Sequence, residues 1–219
     1  MHKRFSNGWQ GNIAYTYSRL WGNYDGLADA DQQSTSDVNP NLGLYCDYLE
    51  GCYTSSGTLD MGPLATNRPH QLKLSGYYNF KFGLSVGAFF RALSGTPITP
   101  ELGVNTSTIT HPYGRGGAGT NPALTQTDLT FTYVVKVGGS RNLSLTANVL
   151  NVFNQAATLR TFSPMLNGSM VSVPIATYFA GYNPQTVITA QNATKDPRYL
   201  MPSLFQAPRS MRIGIKFDF

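Results

Sequence analysis

The sequence predicts an all-β chain: an antiparallel up-and-down sheet of about six strands, apolar on one face and polar on the other, forming part of a transmembrane β-barrel wall. Three observations predict it. Charged residues make up only 12% of the 219 residues, while Gly, Tyr and Phe number 22, 13 and 12; a soluble domain carries about twice that charge. Apolar residues recur with a period of two, over stretches long enough to cross a bilayer at a tilt, which takes about 9–11 residues. Short and long connections alternate between those stretches. No apolar run is long enough for a transmembrane helix, and alternation dilutes the apolar residues to a mean hydropathy of −0.21.

The first strand is expected over 9–21, with Trp9, Gly11, Ile13, Tyr15 and Tyr17 on one face and Gln10, Asn12, Ala14, Thr16 and Ser18 on the other. The second, over 70–80, sets Leu72, Leu74, Gly76, Tyr78 and Phe80 against Gln71, Lys73, Ser75, Tyr77 and Asn79. The third, over 84–94, sets Leu84, Val86, Ala88, Phe90 and Ala92 against Ser85, Gly87, Phe89, Arg91 and Leu93. The fourth, over 126–137, sets Leu129, Phe131, Tyr133, Val135 and Val137 against Asp128, Thr130, Thr132, Val134 and Lys136. The fifth, over 142–153, sets Leu143, Leu145, Ala147 and Val149 against Ser144, Thr146 and Asn148, and its pattern decays past Leu150. In the sixth, over 209–219, Met211, Ile213, Ile215, Phe217 and Phe219 oppose Ser210, Arg212, Gly214, Lys216 and Asp218.

Strands two and three are joined around Lys81–Gly83, and strands four and five by Gly138–Asn142. The other links, 22–69, 95–125 and 154–208, are long. Strict alternation puts every short turn at one rim of an up-and-down sheet and every long loop at the other, with both termini at the short-turn side. Outer-membrane barrels have that layout, with long loops outside the cell; a Greek-key sandwich has no reason to segregate its loops. The polar face suits a watery lumen, and Tyr and Trp near strand ends suit interfacial girdles. The net charge of +5 contains no Lys/Arg cluster, which argues against nucleic-acid binding. The first fifteen residues lack the apolar stretch of a secretory signal.

Arg212-x-Gly214-x-x-Phe217-x-Phe219 resembles the C-terminal signal read by the outer-membrane assembly machinery on bacterial barrels. Three further stretches resemble the TonB-dependent outer-membrane receptors. Arg68–Pro100 is similar to a late barrel hairpin of that family, "NVLNVFNQ" (Asn148–Gln155) to a strand end near its C-terminus, and Lys3–Arg19 to another wall strand. The Oar-like subgroup, whose members carry a carboxypeptidase-regulatory-like domain before the plug, is the nearest in pattern. The resemblance implies a 22-stranded barrel plugged from inside, of which this chain matches the last quarter. The plug, the energy-coupling box and the secretory signal are missing, so Met1 reads as an internal methionine, a mis-called start or the edge of a partial gene. Six strands are too few to close, so the sheet is expected to be open and curved. It implies energy-coupled uptake of a scarce solute across the bacterial outer membrane, to which this segment contributes wall, outer loops and assembly signal. The implied partners are outer-membrane lipid and lipopolysaccharide, the barrel assembly machinery, the missing N-terminal barrel and plug, and the TonB complex only through that missing part.

Cys46 and Cys52 lie in the first long loop. Outside the cell the expected outcome is a disulfide, against two free thiols; Asp47 and Glu50 are too few for a metal site. The loop aromatics Tyr45, Tyr48, Tyr53, Tyr113, Tyr178, Phe179 and Tyr182 either touch incoming substrate or pack the loops together. Lumen-facing Lys73, Arg91, Asp128 and Lys136 either line the plug interface or are ordinary solvated wall residues. Arg160 and Arg198 are candidates for lipopolysaccharide phosphates. The stretch "GRGGAG" (Gly114–Gly119) fits G-x-G-x-x-G but lacks the strand and helix of a dinucleotide site, and reads as a flexible loop tip. His2, His70 and His111 are scattered, and no catalytic or cofactor-binding constellation is apparent, so no enzyme activity, cofactor or metal is expected. Three rival readings remain: an independent small oligomeric outer-membrane barrel with an adhesin-like or structural role, a barrel hydrolase using His111 or a rim carboxylate, and a soluble all-β binding domain.

Overall fold

The computed structural model describes residues 1–23, 53–105, 108–139 and 141–219. The expected disulfide Cys46–Cys52 and the loop aromatics Tyr45 and Tyr48 lie outside the described residues.

Period-two alternation needs a partner strand in the same phase, and each expected strand finds one. In chain order the elements are β1 (His2–Ser6), β2 (Trp9–Tyr17), β3 (Trp21–Gly22), β4 (Gly62–Pro63), β5 (His70–Asn79), β6 (Leu84–Leu93), β7 (Leu102–Val104), β8 (Thr108–Thr110), β9 (Leu124–Gly138), β10 (Arg141–Leu150), β11 (Thr158–Thr161), α1 (Ile175–Ala180), α2 (Pro184–Ala190), β12 (Pro202–Phe205) and β13 (Ser210–Asp218). Seven of them form one antiparallel sheet in the order β1-β2-β5-β6-β9-β10-β13. The short pairs β3–β4, β7–β8 and β11–β12 stand apart in the long connections, so the large sheet is a plain up-and-down meander with β1 and β13 at its edges.

The strand count differs from expectation because of one turn. Ser6 pairs with Trp9, and Asn7 and Gly8 between them take φ of 53° and 83°. An Asn-Gly pair in that left-handed conformation is the preferred two-residue hairpin turn. It folds His2–Ser6 back onto β2 as a seventh strand. The main-chain oxygen of Met1 then accepts from Ile13 N at 2.9 Å, placing the first residue midway up the wall rather than at the short-turn rim. The first expected strand ends at Tyr17 instead of Trp21, and the fifth ends at Leu150. There Asn151 and Asn154, with φ of 51° and 52°, turn the chain out of the sheet.

The buried hydrophobic core lies outside the large sheet. It consists of Leu102, Val104, Met165, Leu166, Val171, Val173, Tyr178 and Ile188, all from the connections that follow β6 and β10. A layer of short strands, turns and two short helices is folded over the long-loop rim. α2 begins with Asn183, whose side-chain oxygen accepts from the backbone N–H of Gln185 at 2.9 Å and Thr186 at 3.3 Å. Pro184 stands at its first position, where a missing N–H costs nothing.

The layer meets the sheet tightly where the chain leaves β6. A Cβ at Gly95 would overlap the carbonyl oxygen of Asn121. Asn121 cannot retreat, because its amide donates to Thr96 O and Thr96 Oγ1 at 3.3 and 3.0 Å and Thr161 Oγ1 donates to it at 2.8 Å. Gly95→Ala is therefore expected to cost about 1–3 kcal/mol, the range for a forced backbone shift. Faster limited proteolysis of the 95–125 segment, with the sheet intact, is the measurement that shows it.

Candidate functional site

The two faces of the sheet are chemically distinct, and register keeps them so. Trp9 pairs with Tyr78, Tyr78 with Val86, Val86 with Phe131, Phe131 with Ala147 and Ala147 with Ile213. The next rows behave alike: Ile13 meets Leu74, which meets Phe90, and Tyr133 meets Leu145, which meets Ile215. On this face, from β2 through β13, the alternating positions Trp9–Tyr17, His70–Tyr78, Leu84–Ala92, Leu129–Val137, Leu143–Val149 and Met211–Phe217 hold no Asp, Glu, Lys or Arg. Its large residues stand open: Ile213 and Ile215 are each 74% exposed and Tyr17 is 64% exposed.

Aromatics concentrate at both ends of that face. At the short-turn rim stand Trp9, Tyr78, Phe80, Phe82 and Phe217. Tyr78 and Phe80 meet edge-on at 4.7 Å, Phe217 stacks on Phe219 at 6.2 Å, and the Lys3 ammonium sits 3.8 Å above the Trp9 ring. At the loop rim, Tyr15 and Tyr17 flank His70, with Tyr15 Oη 2.7 Å from His70 Nδ1. About 27 Å of strand separates Trp9 from Tyr17 at the usual rise. Strand tilt reduces that to about 20 Å, close to the apolar band of a membrane barrel.

The opposite face is polar and bonded from strand to strand. Arg91 Nη2 donates to Gln126 Oε1 at 2.7 Å, and Gln126 Nε2 donates to the Asp128 carboxylate at 2.8 and 3.1 Å. Asp128 also accepts from Asn151 N at 2.8 Å. Asn151, 2% exposed, donates from Nδ2 to Gln155 O and Ala207 O and accepts from Gln155 N. This is the physical content of the "NVLNVFNQ" stretch: its first turn residue ties the end of β10 to β9 and to the chain entering β13. Lys216 pairs with Asp218 at 2.7 Å at the exposed short-turn end.

The folded loop layer carries the remaining candidates. Tyr178 is fully buried, and its hydroxyl donates to Tyr53 O at 2.6 Å. The Tyr53 and Phe179 rings meet edge-on at 5.2 Å, and Tyr178 lies 5.4 Å from Tyr182. Tyr178 packs the layer, because a connection with its own core must bury its largest apolar groups. Tyr113 is 44% exposed and accepts from Gln185 Nε2 at 3.1 Å. With Tyr182, Ser55, Ser56 and Asn183 it lines an open depression of about 730 Å³ on the layer. This is where two of the expected contact aromatics come together.

Sequence spacing concealed one cluster. Asp60, 1% exposed, lies with its Oδ2 2.7 Å from His111 Nδ1 and 3.4 Å from Arg115 Nε, while its Oδ1 accepts from Arg115 N at 3.1 Å. Arg115 also donates to Asn23 O at 3.1 Å. The cluster binds the first long connection to the second. It corrects the reading of Gly114–Gly119 as a loose tip: backbone N–H groups of Gly114, Gly117 and Gly119 close successive turns onto His111, Gly114 and Gly116, and Gly116 N donates to Thr99 Oγ1 at 3.0 Å. Among the described residues no group of three His, Cys, Asp or Glu side chains could hold a metal ion.

Arg198 is committed within the layer. It grips Asp196 through Nε at 3.0 Å and Nη2 at 2.8 Å and lies 4.3 Å over the Phe162 ring; Arg160 is exposed on β11. The hydrogen bond from Arg198 holds the Asp196 carboxyl below the usual carboxylate range. A depressed folded pKa contributes stability that is complete above the unfolded pKa and is lost as pH falls through the folded one. The 196–201 turn is therefore expected to open only on acidification below the ordinary carboxylate range. In Asp196→Asn that acid transition, followed by pepsin cleavage across the turn, is expected to disappear.

No family model matches the chain, and no solved structure matches it. Among described residues no helix is long and apolar enough to cross a membrane, which leaves crossing by strands open. Against curated proteins, the chain is 28% identical over 239 aligned residues to the TonB-dependent transporter Oar of Myxococcus xanthus. The match covers 100% of this chain and 22% of that protein, so the chain spans about a fifth of the curated relative's length. A seven-stranded open sheet is compatible with a partial barrel, and the chain is homologous along its whole length to a stretch of a TonB-dependent transporter.

Proposed function

We propose that the chain is an outer-membrane wall segment of a TonB-dependent receptor, supplying seven strands and a folded external layer to energy-coupled uptake of a scarce solute. The observation that carries this reading is the register-matched apolar face, edged by aromatics along the short-turn rim and by Tyr15 and Tyr17 at the loop rim, and free of charged residues from β2 through β13; Lys3 of the edge strand β1 is the one cation beside it, held over the Trp9 ring. In water such a face exposes far more contiguous apolar surface than a monomeric soluble protein tolerates; in lipid it is satisfied. The loop layer at one rim is the external side, and the polar face lines the passage. The segment contributes wall and loops and no chemistry of its own. Arg212, Gly214, Phe217 and Phe219 on β13 are the residues offered to the assembly machinery, with lipopolysaccharide and lipid as the surroundings.

Fractionation of cells producing the protein tests the location. It is expected in the outer membrane, resistant to urea extraction, with Phe217→Ala lowering the folded amount there. Recovery from the soluble fraction without detergent would sink the reading. Coupling is tested by growth: strains lacking this gene and strains lacking TonB are expected to share one nutrient defect. Detergent-resistant oligomers with no such defect would point instead to a self-assembling barrel of adhesin-like or structural role.

A further inference from the structure

On the polar face Lys73 and Arg91 stand side by side, and Arg68, just before β5, lies near enough to Arg91 to feel its charge. Lys73 on β5 is directly opposite Arg91 on β6; like charges at that position oppose pairing. Among the described residues no carboxylate lies within ion-pair distance of Arg68, Lys73 or Arg91. Asp128 reaches Arg91 only through the Gln126 amide, and its own oxygens are taken by Gln126 and Asn151. Arg91 Nε is buried and makes no hydrogen bond. Arg68 spends Nη1 on Ser94 O at 2.5 Å; burial and then the charge of Arg91 lower its affinity for its proton. A wall residue chosen for stability would be neutral or acidic at position 73.

We propose that Arg68, Lys73 and Arg91 form a binding station for a small anionic solute, one carrying carboxylate or phosphate groups. The proposal rests on the reading that this face lines a watery passage. Residues directly opposite on neighbouring strands place their Cβ atoms about 5 Å apart, so one anion with two or more oxygens bridges the Lys73 ammonium and the Arg91 guanidinium. Arg recognises such groups through its planar fork, and Lys as a point charge. An anion there supplies the missing counter-charge and turns an opposed pair into a clamp.

The test is titration of the detergent-purified protein with sodium citrate, inorganic phosphate and an oligoglutamate peptide at about 0.15 M ionic strength, where exposed charges are screened beyond about 8 Å. The readouts are calorimetry and the Arg Nε–H resonances. Citrate or phosphate is expected to bind saturably, to move the Arg91 signal, and to bind at least about tenfold more weakly to Lys73→Met and to Arg91→Met. Lys136→Met, a cation removed from the far end of the same face, is expected to bind as the parent does. If Arg91→Met fails to fold, the exposed Lys73→Met carries the test. Absence of saturable binding, or an equal loss in Lys136→Met, would overturn the station. Binding of oligoglutamate alone would assign the patch to an acidic protein segment and equally overturn it. A protein that keeps a detergent-dependent, heat-modifiable β-sheet yet binds no anion loses only the station; one without those properties loses the wall reading itself.

Discussion

Leu145→Lys is expected to destabilise the folded wall in lipid vesicles by about 2–4 kcal/mol, the cost of a cation near the bilayer midplane on the lipid face of a barrel. Thr130→Lys, on the opposite face, is expected to change stability by no more than about 0.5 kcal/mol. Leu145 is central in β10, between Tyr133 and Ile215 in its row, and 39% exposed. Its surroundings would be easy for a lysine in water and hard in hydrocarbon. Thr130 lies across from Gly87 and Asn148, with no cation in either pairing. Urea unfolding of the two variants in vesicles measures both values. Equal, small effects would mean that the apolar face is not in lipid.

Tyr178→Ala is expected to cost about 3–5 kcal/mol, the range for deleting a buried aromatic side chain, and to spend nearly all of it in the loop layer. Among the described residues Tyr178 is the largest fully buried side chain, with Tyr53, Phe179 and Tyr182 packed around it. Its hydroxyl bond to Tyr53 O is worth about 1 kcal/mol, so Tyr178→Phe is expected to lose only that. The layer has its own core, separate from the strands, so exchange protection is expected to fall across 164–190 while β5, β6, β9 and β10 keep theirs. Uniform loss across sheet and layer would show that the two fold as one unit.

The wall was legible because alternation survives any choice of partner. A strand whose odd positions are apolar must pair with another in phase, and every wall pairing from Trp9 to Phe217 obeys that rule. The seventh strand carried a local signal, Asn7-Gly8, but His2–Ser6 is too short and too polar to show a period. The loop layer was illegible because its core residues are scattered: Leu102 and Val104 come from one connection, Met165, Val171, Tyr178 and Ile188 from another, with no shared period to reveal them. Asp60 and His111 are 51 positions apart, a separation that no motif records. Nothing in the sequence distinguishes Tyr178 from Tyr113; only position in three dimensions separates the buried one from the open one. The Lys73–Arg91 opposition needed the β5–β6 register, which sets the two cations side by side.

The central claim is that one face of this sheet meets hydrocarbon and the other meets water. Spin labels placed singly at 210 through 217 on β13, with the protein in vesicles, test it most directly. Collision with oxygen, which concentrates in lipid, and with a water-soluble nickel complex should alternate. Met211, Ile213, Ile215 and Phe217 are predicted to report oxygen, and Ser210, Arg212, Gly214 and Lys216 the nickel complex. Nickel access at all eight positions, without alternation, would contradict the account.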